Sequence, residues 1–269
     1  MRNDLVVIVP IHEYNKEVKT LLDKAIESVP SNIEIRFSCK YSLGSLLNKD
    51  YEKHGNITIY EDENENSVGN FATLVNQAVG NSEWFTILEF DDVYNPIWFE
   101  NFDKYVKFKP NVSVFMPLTE IYDFNTNKFI SYGNDAAWAS SFSNEIGYID
   151  NECLQSYYDF YLTGSFFNTK DWLEYGGLKP SIKVTFWYEF LLRLTSKGKE
   201  VFVIPRCGYK HFVNRKDSLF VKYREEISEK EGNWWFSLAK QEYHFLKDRN
   251  KAYSESENET EKEEDEGDE

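Results

Sequence analysis

Cysteine is scarce and scattered: Cys39, Cys153 and Cys207 are the only three in 269 residues. An odd, unclustered set excludes a disulfide framework and offers no zinc-ligand spacing; it suits a reducing compartment. Long apolar runs are lacking too. None approaches the roughly 20 residues that a membrane helix needs. The apolar run at residues 5–11 is too short for a signal peptide and has no cleavage pattern behind it. The expectation is a cytoplasmic protein without a membrane span. Positive charge is outweighed, with 30 Lys and Arg against 46 Asp and Glu and a formal net charge of -16. That balance leaves no broad basic footprint for nucleic acid. Much of the excess is local, because residues 254–269 hold ten acids, one lysine and no apolar side chain. Such a tail is expected to be disordered. No internal repeat is visible.

Apolar and aromatic residues are plentiful, at 41% and 17% of the chain, enough for a substantial core in one large domain with or without an appendage. Leu5-Val6-Val7-Ile8-Val9 is a continuous β-branched and apolar run stopped by Pro10. Such a run predicts a strand buried on both faces, hence a parallel sheet. Helical spacing follows at residues 17–29, then strands near 33–37 and 56–60, a helix at 67–79, a strand at 84–88 and a helix from about residue 97. A strand at 112–116 is expected to end at Pro117. Alternation of this kind predicts a doubly wound α/β sheet. The second half is less regular. It offers two short strands around Asn125-Thr126-Asn127, a polar stretch at 133–147 that reads as a mobile loop over the site, and a helix at 184–195. A strand at 201–204 is expected to end at Pro205, and C-terminal helices follow in which Trp234 and Trp235 pack on the body.

The chain is organised around residues 83–98, EWFTILEFDDVYNPIW. A buried strand runs into Glu89, Asp91 and Asp92. Acids at the end of such a strand lie where open α/β sheets present their ligands. Clustered carboxylates there are costly unless a cation joins them, and a divalent ion with a diphosphate is a common solution. An acidic solvated turn is the plainer alternative.

Several segments together resemble the family 2 nucleotide-sugar glycosyltransferases of the GT-A fold. Pro10-Ile11-His12-Glu13-Tyr14-Asn15 resembles the family's first loop, and Asn66-Ser67-Val68-Gly69 followed by Asn76 its N-x-x-G…N segment. Leu88-Glu89-Phe90-Asp91-Asp92 is similar to L-D-x-D-D. Thr163-Gly164-Ser165-Phe166-Phe167 with Trp172 to Gly177 resembles the acceptor-side segment. Tyr188 to Leu194 is similar to the late helix, and Tyr209-Lys210-His211 through Ser218 to the last strand and loop. The resemblance spans roughly residues 5–220. It implies a GT-A, Rossmann-like, mixed and mostly parallel sheet with helices on both faces. Residues 1–117 would be the nucleotide-binding half and 118–217 the acceptor half, followed by a helical extension at 218–250 and the acidic tail at 251–269.

The implied activity is inverting transfer of a sugar from a nucleoside diphosphate sugar to a hydroxyl acceptor, whether carbohydrate, protein or other, with Mn²⁺ or Mg²⁺ on the diphosphate. Asp91 and Asp92 are the expected metal or ribose contacts, with their division open, and His211 is a third ligand, a diphosphate contact or a structural hydrogen bonder. Glu89 replaces the family's first aspartate and keeps its charge on a longer arm; burial beside a lysine is its alternative. Pro10, His12, Glu13, Tyr14 and Asn76 are candidate donor contacts. Lys210, Arg215 and Lys216 are basic residues for phosphate. Glu189 is the expected base, with a pKa raised by its aromatic neighbours, or else a helix acid paired with Arg193. Asp159 and Asp150 are the alternates. Trp138, Trp172, Trp187 and Tyr188 are candidates for an acceptor platform, or core. Departures from the family pattern are the missing acid pair at Phe186-Trp187 and Ser38 where an aspartate is usual. The missing acids support one rival, a weak or inactive nucleotide-sugar or glycan binder; a viral-type transferase acting on modified DNA bases and a nucleotidyltransferase are the other two.

Overall fold

The computed structural model describes residues 2–62, 71–226, 233–234 and 236–243. The segment 63–70, with its N-x-x-G motif and Asn70, lies outside the described residues, as do Trp235 and the acidic tail. Ten strands, β1 (Arg2–Ile11), β2 (Ile33–Lys40), β3 (Ile57–Asp62), β4 (Trp84–Ile87), β5 (Val93–Tyr94), β6 (Val112–Asp123), β7 (Lys128–Gly133), β8 (Tyr148–Ile149), β9 (Phe166–Asn168) and β10 (Glu200–Val213), form one mixed, mostly parallel sheet. Its order is β3-β2-β1-β4-β9-β6-β10-β5, with β7 on β6 and β8 on β10. The first four strands of that order pair in parallel, and β9 enters antiparallel between β4 and β6.

The helices are α1 (Lys16–Glu27), α2 (Tyr41–Tyr51), α3 (Phe71–Ala78), α4 (Trp98–Phe108), α5 (Asn151–Leu154), α6 (Thr169–Glu174), α7 (Phe186–Ser196) and α8 (Leu219–Glu226). They cover both faces of the sheet. Alternate residues of β1 therefore enter different cores: Leu5, Val7 and Val9 pack with α1 and α4, whereas Val6 and Ile8 pack with α3, α6 and α7. Burial on both sides is why that strand reads as unbroken hydrophobicity. Helix α1 starts where the Asn15 side chain accepts from the Glu17 and Val18 amides, and it buries Val18, Leu22 and Ala25 along one stripe. Helix α2 was not legible in advance. It buries only Gly44, Leu47 and Tyr51, too few positions to set a clear period.

Two strands do not end where proline predicts. Strand β6 runs through Pro117 to Asp123, and β10 through Pro205 to Val213. Their register jumps from Met116 opposite Val203 to Leu118 opposite Cys207, so one residue of β6 faces three of β10. Both prolines sit in this irregularity, where the ladder asks for no N–H donor. The consequence is functional, because the continued β10 carries His211 to the end of the sheet.

The expected mobile loop is anchored instead. Asn134, in the left-handed region at φ 69°, donates from its amide to the Pro117 and Tyr161 carbonyls at 2.9 and 2.8 Å and accepts from the Tyr161 N–H at 2.9 Å. Residues 133–147 do not line the cavity formed by Pro10, Glu89 and His211. At the C-terminus, residues 236–243 are helical and bury Ala239 and Tyr243 against the α7 face of the core. Trp234 is 55% exposed.

Gly164 holds the start of β9 to the site. Its N–H donates to the Ile87 carbonyl at 2.8 Å, and its own carbonyl accepts from the Trp98 indole at 2.8 Å. Its φ is +78°, and a Cβ there would collide with the buried Tyr209 ring. A Gly164→Ala substitution is expected to cost about 2–4 kcal/mol, from backbone strain plus overpacking. A chemical denaturation midpoint within error of wild type would contradict this close approach.

Candidate active site

Three strand ends converge on a cavity of about 500 Å³, within the few hundred to a thousand cubic ångströms usual for ligand sites. The end of β1 contributes Pro10 and His12. The segment after β4 contributes Glu89, Phe90 and Asp91, and the end of β10 contributes His211 to Arg215. This is the carboxyl edge of the parallel strands, the position expected for an α/β ligand site.

A turn decides which acids meet. The Asp92 N–H donates to the Glu89 carbonyl at 3.1 Å, closing a four-residue turn. Glu89 and Asp92, at its two ends, come together with His211: one ligand atom from each lies within 4.8 Å of the others. Asp92 is fully buried. Its Oδ1 accepts from the Phe212 N–H at 2.8 Å, and its Oδ2 lies 2.8 Å from His211 Nδ1. The carboxylate at Nδ1 fixes the orientation of the ring.

Asp91 faces the other way. Its Oδ2 accepts from Arg215 Nε at 2.7 Å, and Arg215 Nη1 donates to Glu13 Oε1 at 3.0 Å. The guanidinium also lies over Phe90, 4.9 Å from the ring centre. Asp91 is thus neutralised by an arginine, not joined to the three-residue cluster.

The electrostatics follow from crowding. Burial, then the Asp92 carboxylate, pushes the Glu89 carboxyl up to about 8. Burial would lower His211, but Asp92, Glu89 and Asp91 outweigh it and raise the imidazole to about 9. Burial raises Asp91, with Asp92 adding to the effect and Arg215 opposing it. His12 is lowered to about 4, chiefly by burial.

Other expected donor contacts lie elsewhere. Tyr14 and Glu13 do not line the cavity. The Tyr14 hydroxyl donates to Asp50 at 2.6 Å, and Glu13 is held by Arg215 and by Lys222 at 3.5 Å. Asn76 clamps a turn: its amide donates to the Leu178 carbonyl at 2.7 Å and its oxygen accepts from the Leu178 N–H at 3.1 Å. Trp172 is core, while Trp187 and Tyr188 reach the cavity.

Glu189 is the largest correction. It is buried on α7 and does not line the cavity. Its carboxylate accepts from Arg193 at 2.9 and 2.8 Å and from the Tyr243 hydroxyl at 2.7 Å, and Lys179 lies 2.8 Å away. Burial tends to raise its pKa, but these partners outweigh it and the net shift is downward. The aromatic neighbours that were expected to raise it are overruled by cations that sequence spacing only partly disclosed.

No family model and no curated protein sequence matches the chain. Solved structures do match. Residues 1–349 of S. aureus TarS in complex with UDP align with a TM-score of 0.57 at 12% identity, over 89% of this chain and 70% of that one. The same fragment in complex with UDP-GlcNAc gives 0.55 at 10% identity, over 82% and 64%. The mannosyltransferase PcManGT from Pyrobaculum calidifontis, in complex with GDP-Man and Mn²⁺, gives 0.58 at 14% identity, over 81% and 59%. The fold is GT-A. The chain spans 60% of TarS 1–349 in a further structure and 38% of a longer TarS chain. Among the described residues, no helix is long and apolar enough to cross a membrane.

Proposed function

We propose that the chain is a nucleotide-sugar glycosyltransferase of family 2 type, moving a sugar from a nucleoside diphosphate sugar to a hydroxyl acceptor with inversion. The observation that carries this reading is the meeting of Glu89, Asp92 and His211 at the carboxyl edge of a GT-A sheet, with Glu89 and His211 on the wall of a large cavity and Asp92 buried behind them. Two carboxylates and an imidazole are a hard oxygen and nitrogen donor set, which suits Mn²⁺ or Mg²⁺. The raised pKa of Glu89, which comes first from burial and then from the Asp92 carboxylate, fits the same view, since an added cation would relieve both. A cation held there would supply Lewis-acid stabilisation of the departing diphosphate.

The chain's own groups have distinct tasks in this reading. Asp92 fixes the His211 ring. Arg215, held by Asp91 and Glu13 and stacked on Phe90, is the fixed positive charge beside the diphosphate. Pro10 and His12 line the donor side. Residues 1–117 form the nucleotide-binding half and 118–217 the acceptor half, with the helical extension after it. Aromatic side chains including Tyr158, Trp187, Tyr188 and Phe236 wall that second half and can stack on a sugar acceptor.

A binder without turnover is the second reading. It is favoured by the engagement of Glu189 with Arg193, Lys179 and Tyr243, together with the absence of an acid at Phe186 and Trp187. The first test applies to both readings. UDP-GlcNAc or GDP-mannose should raise the melting temperature only when Mn²⁺ is present; at 100 times Kd the stabilisation is about 2.7 kcal/mol. No shift with either nucleotide sugar, with or without Mn²⁺, would contradict the donor site. Release of free nucleoside diphosphate then separates the transferase from the binder, and release of pyrophosphate would point to a nucleotidyltransferase.

A further inference from the structure

The sugar-transfer reading leaves one role unfilled. An attacking hydroxyl must lose its proton as it bonds to the anomeric carbon, yet Glu189 is committed to Arg193, Lys179 and Tyr243. Among the described residues, the carboxylates that line the cavity are Glu89, Asp91 and Asp159. Glu89 belongs to the cation cluster and Asp91 is bound by Arg215. We propose that Asp159 is the catalytic base.

Its setting supports the role independently of that elimination. Asp159 is exposed on the cavity wall, and among the described residues its carboxylate makes no hydrogen bond or ion pair. A carboxylate without a partner is free to accept a substrate proton. The backbone that carries it is fixed on both sides. The Tyr158 ring lies 4.6 Å from Phe236 and 6.1 Å from Tyr188. Tyr161 is held through its backbone by Asn134, and its ring is 5.6 Å from His211. Asp159 thus lines the same cavity as the aromatic wall, where an acceptor would rest, and as Glu89 and His211 of the cluster that would hold the donor's diphosphate. Pinned flanking residues give a base its position without tying up its oxygens.

The step balances as a single displacement. The acceptor oxygen donates an electron pair to the anomeric carbon while its proton passes to the Asp159 carboxylate. The bond from the anomeric carbon to the diphosphate oxygen breaks, and its electron pair leaves with the nucleoside diphosphate. Attack from the side opposite the leaving group inverts the anomeric centre.

The inference rests on the transferase reading, so its test first measures donor binding and then turnover. The full-length wild type, Asp159→Asn and Asp159→Glu are each incubated with UDP-GlcNAc or GDP-mannose and Mn²⁺, and nucleoside diphosphate release is followed with water as the acceptor. The expected result is a fall in release of about 100-fold or more in Asp159→Asn, the range for loss of a general base. Donor affinity should stay within twofold, and Asp159→Glu should recover part of the rate. Wild-type release by Asp159→Asn overturns the assignment, as does parallel loss of donor binding and release. A wild type that binds donor but releases no diphosphate overturns it too, while leaving the donor site standing. A wild type that binds neither donor overturns the transferase reading on which the assignment rests.

Discussion

Asp92→Asn is expected to abolish Mn²⁺-dependent donor binding and to slow turnover about a thousand-fold, if the cation supplies several kcal/mol of transition-state stabilisation. Asparagine keeps the shape of the side chain but removes the charge. It can still accept the Phe212 N–H through one oxygen, yet it puts a neutral amide where Oδ2 meets His211 Nδ1 at 2.8 Å. The imidazole loses its orienting carboxylate and the cation cluster loses one of its two acids. Folding stability should fall as well, since breaking a buried charged pair costs about 3–5 kcal/mol. The readout is therefore taken on protein shown to be folded, as Mn²⁺-dependent donor affinity. Affinity within threefold of wild type would remove Asp92 from the site.

The second large effect separates structure from chemistry at Glu189. Glu189→Gln leaves Arg193 and Lys179 beside a neutral amide in the interior of α7 and its neighbours. A loss of about 3–5 kcal/mol is expected, which in a domain of this size lowers the melting temperature by about 10 °C. Donor binding by the folded fraction should be unchanged. The network also sets a direction with pH. The folded-state pKa of Glu189 is depressed below its usual value near 4.5. Its contribution is therefore complete above that value and is lost as pH falls through the lower, folded-state pKa. The wild type should lose stability on acidification, and Glu189→Gln should lose less of it over the same range. A variant that melts with the wild type yet has lost turnover would return Glu189 to catalysis.

Much of the fold was legible because it depends on local pattern. The unbroken run at Leu5 to Val9 announced a strand buried on two faces, and its side chains do enter two cores. Spacing also found the acids of the central stretch. It did not divide them, because the division comes from a turn: Glu89 and Asp92 are three apart and meet, while Asp91, next to Asp92, turns to Arg215. The misreadings share a cause, which is long-range partnership. Asn76 is occupied by Leu178 and Tyr14 by Asp50. Glu189 reveals Arg193 at i+4 in the sequence, but not Lys179 or Tyr243. The prolines misled for a related reason, since a bulge shared by two distant strands absorbs both Pro117 and Pro205.

The most direct measurement is a crystal structure with Mn²⁺ and GDP-mannose, read by manganese anomalous scattering. The expected peak lies at the cluster of Glu89, Asp92 and His211, beside the diphosphate. A nucleotide sugar in the cavity with its manganese elsewhere, or with none, would contradict the account.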